Sequence, residues 1–180
     1  MQSLGRIIYW IRVRPISRLG RASRRFFVRS HPQRTLYGIM VIDATKDRSR
    51  SAIYLDQVAE SLDLIKKYDS KNFRRASTTL DSIEVVSFLP KNSQAYYLLG
   101  TNTCYLHEKL MRRGISTIAA AIAHEVTHAR LDRMGIRQSK DRYDRVERLC
   151  KEEESRFLRR YVAARTPEEK ARDGVQGKSS

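Results

Sequence analysis

The feature that most constrains the fold is a pair of consecutive helices predicted in the last third of the chain. The first is predicted over residues 117–134, with Ser116 as its N-cap and Gly135 just past its end. The second is predicted from Ser139 to about Arg165. Because the connection between them is short, we expect an antiparallel helical hairpin.

The first helix carries the sequence His124-Glu125-Val126-Thr127-His128. Histidines four residues apart lie on one face of a helix, so both imidazoles can bind the same metal ion. Glu125 follows the first histidine, and its carboxylate could take a proton from a water bound to that metal. The preceding residues are small and apolar, which predicts a buried helix in which unpaired histidines would be costly. The alternative is a surface helix whose histidines bind nothing.

A catalytic zinc site needs three protein ligands and one open position. In an antiparallel hairpin, the level of the histidine pair falls opposite about residue 148 of the second helix, close to Glu147. We therefore predict that Zn²⁺ is held by His124, His128 and Glu147. Glu154, Cys150 and His107 are the alternatives for the third ligand.

Apolar spacing predicts a buried seam along the second helix, and Glu147 and Glu154 are the acids on it. Glu154 lies one heptad beyond Glu147, so we expect it to orient a ligand or to pair with an arginine. Glu152 and Glu153 fall outside the seam and are predicted to be solvated. The predicted seam consists of Tyr143, Glu147, Cys150, Glu154, Phe157 and Tyr161.

The sequence before Ser116 alternates predicted strands with one amphipathic helix. The predicted fold class is α+β, with a small antiparallel or mixed sheet followed by the helix pair that carries the metal site. We assign residues 35–165 to this single domain. The predicted strands are residues 36–42, 82–89, 95–99 and 103–106, the last two joined by Gly100-Thr101-Asn102, and the predicted helix is residues 51–68.

Residues 1–34 form a basic arm, since the formal net charge is +16 and no acidic residue precedes Asp43. Leu4, Ile7, Ile8, Trp10 and Ile11 could share one side of a helix, which Pro15 would interrupt. Such an arm favours contact with an anionic membrane surface. A solvated or packed extension is the alternative, and nucleic-acid binding is not expected because no motif for it accompanies the arm. Residues 166–180 are predicted to be a disordered tail.

The chain contains two cysteines, Cys104 and Cys150, and no recognisable secretory leader. This usage predicts buried, unpaired thiols in a reducing compartment. The apolar run of residues 7–11 is too short to span a bilayer. We therefore expect a cytoplasmic protein, with peripheral membrane contact through the arm as an addition.

The three residues His124, Glu125 and His128, followed nineteen positions later by Glu147, resemble the gluzincin branch of the zincin metallopeptidases. The longer string from His124 to Asp132, with Arg-Val-Glu-Arg-Leu-Cys further on, is similar to small uncharacterised bacterial proteins. The resemblance implies a zinc peptidase with a peptide or protein substrate, aligned along the edge strand of a mixed sheet. Lys151 departs from the pattern, because gluzincins often carry an acid four residues after the glutamate ligand. The alternative function is a non-catalytic, zinc-stabilised protein that binds a membrane surface or acidic partner through the arm.

Overall fold

The protein is described by a computed structural model that covers residues 30–89, 93–136 and 142–165. These residues form five strands, four α-helices and two short 3-10 helices, which confirms the predicted α+β class. In chain order the strands and α-helices are β1 (Gln33–Leu36), β2 (Ile39–Asp43), α1 (Ser51–Tyr68), α2 (Ser70–Thr79), β3 (Ser82–Val86), β4 (Ala95–Leu98), β5 (Thr103–His107), α3 (Ile115–Arg133) and α4 (Tyr143–Ala164).

The five strands form one mixed sheet in the order β1-β2-β3-β5-β4. The three central strands, β2, β3 and β5, run parallel, whereas β1 and β4 pair antiparallel with β2 and β5. Helices α1 and α2 connect β2 to β3, and a parallel pair needs a crossover of this kind. Of the two sheet forms expected from the sequence, the mixed one is therefore present, and β1 and β4 are its edges.

The single strand predicted over residues 36–42 is wrong, because the chain reverses inside it. Tyr37 and Gly38 both have positive φ, 53° and 81°. Two consecutive residues in this conformation form the two-residue turn that joins a tight hairpin. Residues on either side of the turn, Leu36 and Ile39, are paired in register. Gln33 and Arg34, which the sequence assigned to the basic arm, belong to β1.

Helix α1 has the predicted bounds, but α2 was not predicted at all. Its sequence is mostly polar and contains only Phe73 and Ala76 as apolar residues. Asp69 starts this helix, because its side chain accepts a hydrogen bond from the backbone N–H of Asn72. The cap at Asp69 therefore marks where α2 begins, whereas its few apolar residues show no helical period.

All four α-helices contribute to one core on the same face of the sheet. That core includes Leu62, Ala76, Ile122 and Phe157 from the helices, together with Val41 and other sheet residues. The predicted burial of α3 is confirmed, since its alanines and isoleucines lie against α1, α2 and the sheet. The helix that carries the histidines is thus a central element of the fold.

The ends of the helical hairpin differ in part from the prediction. Helix α3 begins at Ile115 after Gly114, so Ser116 lies within it and is not its N-cap. Its other end is as expected: Gly135 has φ +73°, and Ile136 N donates to the Leu131 carbonyl in a Schellman-type ending. Ser139 and residues 1–29 and 166–180, on which further predictions fall, lie outside the described residues.

Candidate metal centre

The two histidines of α3 lie one turn apart and point their Nε2 atoms towards each other. The His124 Nε2 and His128 Nε2 atoms are 3.2 Å apart, and the ring centroids are 5.0 Å apart. The regular geometry of the helix explains this placement, since residues at i and i+4 share a face. The predicted convergence of the two imidazoles is confirmed.

Glu147 of α4 lies beside both of these nitrogens, at the level of the hairpin expected from the sequence. Its Oε1 atom is 3.3 Å from His128 Nε2, and its Oε2 atom is 3.6 Å from His124 Nε2. Hydrogen bonds with His124 and then with His128 hold the pKa of the Glu147 carboxyl well below its usual range. A carboxylate oxygen and two imidazole nitrogens therefore face one another across the interface between α3 and α4.

Glu154, one heptad further along α4, contacts the other nitrogen of His124. The distance between His124 Nδ1 and Glu154 Oε2 is 3.0 Å. Of the two partners considered for Glu154, a histidine and an arginine, the contact is with the histidine, and a carboxylate on one ring nitrogen fixes the orientation of an imidazole. Burial lowers the pKa of His124, but the contacts with Glu147 and Glu154 outweigh it and raise that pKa to about 9.

Cys150 of α4 is the second candidate for the third ligand position. Its Sγ atom and one nitrogen from each histidine all lie within 4.8 Å of one another, and this cluster could hold a metal ion. The thiol is fully buried, and burial together with the nearby Glu147 raises its pKa. As expected, neither Cys150 nor Cys104 forms a disulfide, and both are buried. The structure thus brings two of the proposed third ligands, a carboxylate and a thiol, to the same histidine pair.

The spacing of the ligand atoms is compatible with tetrahedral coordination. Two nitrogen or oxygen ligands at zinc distances subtend an edge of about 3.3 Å in a tetrahedral site. The two Nε2 atoms are 3.2 Å apart, close to this value, and a different oxygen of Glu147 lies near each of them, Oε1 at 3.3 Å from His128 and Oε2 at 3.6 Å from His124. The donor set of imidazoles and a carboxylate is also one that zinc accepts. The histidine pair and its acidic neighbours therefore have the chemistry of a metal-ion site.

Glu125, the predicted catalytic carboxylate, is buried between the histidines and the edge of the sheet. A backbone hydrogen bond from Tyr97 of β4 reaches its carboxylate, and burial raises its pKa despite the nearby imidazoles. Because β4 is the edge strand next to β5, the Tyr97 contact brings Glu125 against a sheet edge. Sequence analysis did not identify Tyr97, since nothing in its spacing indicates which strand lies beside the motif.

Asp132, one turn beyond His128 on α3, contacts β4 and the turn that follows it. Its Oδ2 atom accepts hydrogen bonds from Tyr97 Oη and from the backbone N–H of Gly100, both at 3.1 Å. The carboxylate therefore attaches the β4–β5 turn to the end of α3. Burial, with a contribution from Asp132, raises the pKa of Tyr97.

The prediction for Glu153 is wrong, because this side chain is buried rather than solvated. Only 8% of it is exposed, and its carboxylate contacts Arg75 at 3.3 Å and Arg156 at 2.9 Å. Asn72 Nδ2 donates to the same carboxylate at 3.4 Å. Two of these partners lie on α2, the helix that the sequence did not reveal, so no local signal could have identified the pairing. Glu152 is exposed, as predicted.

His107, a proposed alternative ligand, lies at the end of β5 and is not part of the cluster. Its Nδ1 atom accepts a hydrogen bond from the Lys109 backbone N–H. Tyr143, the first residue of α4, is 48% exposed, so it lies outside the buried part of the predicted seam.

No protein-family profile, no curated protein and no solved structure matches the chain. The gluzincin resemblance therefore rests on the residues of the motif. Within the described part of the chain, none of the helices combines the length and the apolar character that crossing a membrane requires.

Proposed function

We propose that the protein is a zinc-dependent metallopeptidase, in which His124, His128 and Glu147 hold the metal and Glu125 acts as general base. The observation that carries this proposal is the set of separations between the two Nε2 atoms and the Glu147 oxygens, 3.2 to 3.6 Å. When bound, zinc would polarise a substrate carbonyl and lower the pKa of a water to about 7. Peptide or protein is the substrate class that the resemblance implies.

Each protein residue has a defined task in this proposal. The Glu154 carboxylate holds the His124 ring by its Nδ1 atom, at 3.0 Å, and leaves Nε2 for the metal. The Glu125 carboxylate would accept a proton from the attacking water and return it to the leaving amine. An extended peptide would add to the edge of β4 that faces away from β5, and the contact between Glu125 and the Tyr97 backbone would hold the general base beside this strand.

A non-catalytic zinc site is the second candidate, and Cys150 supports it. If the Cys150 thiolate joined both histidines and Glu147, all four positions of a tetrahedral site would be protein ligands. Such a closed site would stabilise the α3–α4 hairpin and would leave no position for water. Binding of a membrane surface or an acidic partner through the basic arm would then be the function.

Metal analysis of purified wild type and three variants distinguishes the two proposals. For the peptidase, we expect Glu147→Ala to lose zinc and Cys150→Ala to retain it. Glu125→Gln should also retain zinc but cleave a mixed peptide library about 10²–10⁴-fold more slowly, the usual contribution of a general base. For the closed site, Cys150→Ala would lose zinc, and wild type would hold it without hydrolysing any peptide. Absence of zinc from the wild type after purification with added metal would refute both.

A further inference from the structure

The face of the sheet that points away from the helices is buried at its centre. Alternate strand residues point to opposite faces, and Val41, Ile83 and Leu106 belong to the core beneath the helices. Their neighbours therefore form the other face, which we call the outer face. Its central residues are Met40, Ile42, Ser82, Glu84, Thr103 and Tyr105.

Several central side chains of the outer face are as inaccessible as those of the core. Ile42 is 0% exposed, Glu84 is 3% exposed and Tyr105 is 6% exposed. Yet each of the four α-helices contributes to the core on the opposite face, and Ile42 is not part of that core. A sheet with one solvated face normally presents accessible polar side chains on it. The burial of these residues therefore points to a covering segment other than the described helices.

We propose that the N-terminal segment, residues 1–29, docks on the outer face as a further layer of the same chain, with its apolar side against Ile42 and Tyr105 and an arginine beside Glu84. This assigns the basic segment an intramolecular role. The proposal is independent of the metal site and of any peptidase activity.

The connection to β1 allows the segment to reach this face. The chain enters β1 at Gln33, on one edge of the sheet, directly after the segment. Five strands span about 19 Å from edge to edge. A helix over residues 4–11 would be about 12 Å long, and residues 16–29 could extend to about 46 Å. The segment is therefore long enough to return across all five strands.

The chemistry of the segment matches the outer face. The segment has apolar residues at the spacing of one helical face, and a helix packs on a sheet through such a face. These residues are Leu4, Ile7, Ile8 and Ile11. Glu84 is a carboxylate at the centre of the face, and a buried carboxylate is stabilised by hydrogen bonds from a guanidinium. The segment carries eight arginines and no acid, namely Arg6, Arg12, Arg14, Arg18, Arg21, Arg24, Arg25 and Arg29.

A tryptophan placed in the stripe provides a direct test: Ile11→Trp in a Trp10→Phe background carries a single tryptophan, because Trp10 is the only one in the chain. In this full-length variant without lipid, docking predicts blue-shifted tryptophan emission and weaker acrylamide quenching than in the urea-unfolded chain. The emission should move to the red in the same cooperative transition as the far-ultraviolet circular dichroism. Emission that is already red-shifted and fully quenchable in the folded protein would overturn the proposal.

A matched pair of variants tests which side of the segment docks. Ile8→Asp places a charge in the apolar stripe, whereas Val13→Asp makes the same change of charge about 140° round the helix. We expect Ile8→Asp to lower the urea midpoint by about 1 M, since it loses the burial of an isoleucine, and Val13→Asp to leave it nearly unchanged. Equal midpoints for the two variants would overturn the proposal.

Two other arrangements would give different results with the same proteins: the segment could bind a membrane, or a second copy of the chain could cover the outer face. If the stripe binds a membrane, wild type will bind vesicles of phosphatidylcholine and phosphatidylglycerol, and Ile8→Asp will abolish that binding at an unchanged urea midpoint. If a second copy of the chain covers the face, the midpoint will rise with protein concentration. Either result contradicts intramolecular docking, which predicts a concentration-independent midpoint.

Discussion

Glu147 and Glu153 of helix α4 contact different neighbouring helices, and the residue types that surround their carboxylates differ. Glu153 faces α2, where Arg75 and Asn72 meet its carboxylate and Arg156 of α4 completes the contacts. Glu147 faces α3, where its two carboxylate oxygens contact the imidazoles of His124 and His128. Arginine keeps its proton at every physiological pH and does not bind metal ions, whereas an imidazole can exchange its proton for a metal ion. The first cluster is thus complete as a structural ion pair, and the second has the composition of a metal site.

Replacement of a histidine in the second cluster should have the largest effect. We expect His128→Ala to lose zinc, because a structural or catalytic zinc site contributes about 10–16 kcal/mol of binding free energy that depends on every ligand. His107→Ala is the matched control, since His107 lies at the end of β5 and contacts Lys109. Inductively coupled plasma mass spectrometry of both proteins measures the difference. If His128→Ala and His107→Ala contain equal amounts of zinc, the cluster around Glu147 is not a metal site.

Breaking the arginine-paired cluster should cost stability without removing the metal. Glu153→Ala leaves Arg75, with a side chain that is 15% exposed, without its carboxylate. A partly buried pair broken in this way costs about 3 kcal/mol, whereas Glu152→Ala, at an exposed position of the same helix, should cost less than about 0.5 kcal/mol. Urea unfolding measures both values. A Glu153→Ala protein as stable as Glu152→Ala would show that the ion pair has no structural role.

Glu154 offers an intermediate test, because it contacts a proposed ligand rather than the metal. Removing a carboxylate that orients a ligating histidine typically weakens metal binding by about 10–100-fold. We expect Glu154→Ala to show a loss of this size in competition with a zinc chelator, and Glu154→Gln, which can still accept a hydrogen bond from His124 Nδ1, to recover part of it. Unchanged affinity in both would mean that Glu154 does not position the ring.

The smallest effect is a difference in pH dependence. Burial raises the pKa of Glu153, but Arg156, Arg75 and Asn72 outweigh it and lower that pKa in the folded protein. A carboxyl whose folded pKa lies below its unfolded value of about 4.3 contributes stability at higher pH. That contribution is lost as the pH falls through the folded pKa. Below about pH 4.3 wild type should therefore lose stability more steeply than Glu153→Gln, as measured by urea midpoints. Parallel curves would contradict the pairing.

The sequence predicted the residues of the site better than it predicted the helices and strands around them. The approach of His124 to His128 and the level of Glu147 follow from the regular rise and turn of two antiparallel helices. Cys150 lies between Glu147 and Glu154 on the same seam, but periodicity does not rank a thiol against a carboxylate as ligand. Residue types and helical spacing thus identified the cluster and left its ligand set open.

The errors arose where the structure depends on contacts distant in sequence or on a single turn. Helix α2 has too few apolar residues to show a period, so the partners of Glu153 were unknown and its burial was missed. The hairpin at Tyr37 and Gly38 lies inside an apolar run, where the left-handed turn leaves no break in hydrophobicity. The contacts of Asp132 with Tyr97 and Gly100 join residues more than thirty positions apart, so helical spacing does not indicate them.

The antiparallel hairpin of α3 and α4 has a consequence for the order of folding. His124 and Glu154 are separated by 30 positions, whereas Asn72 and Glu153 are separated by 81. The entropic cost of closing a loop grows with its length, and chains dominated by short-range contacts fold faster. We therefore expect the contact between His124 and Glu154 to form early when the unfolded chain refolds, and the contacts between α2 and α4 to form late.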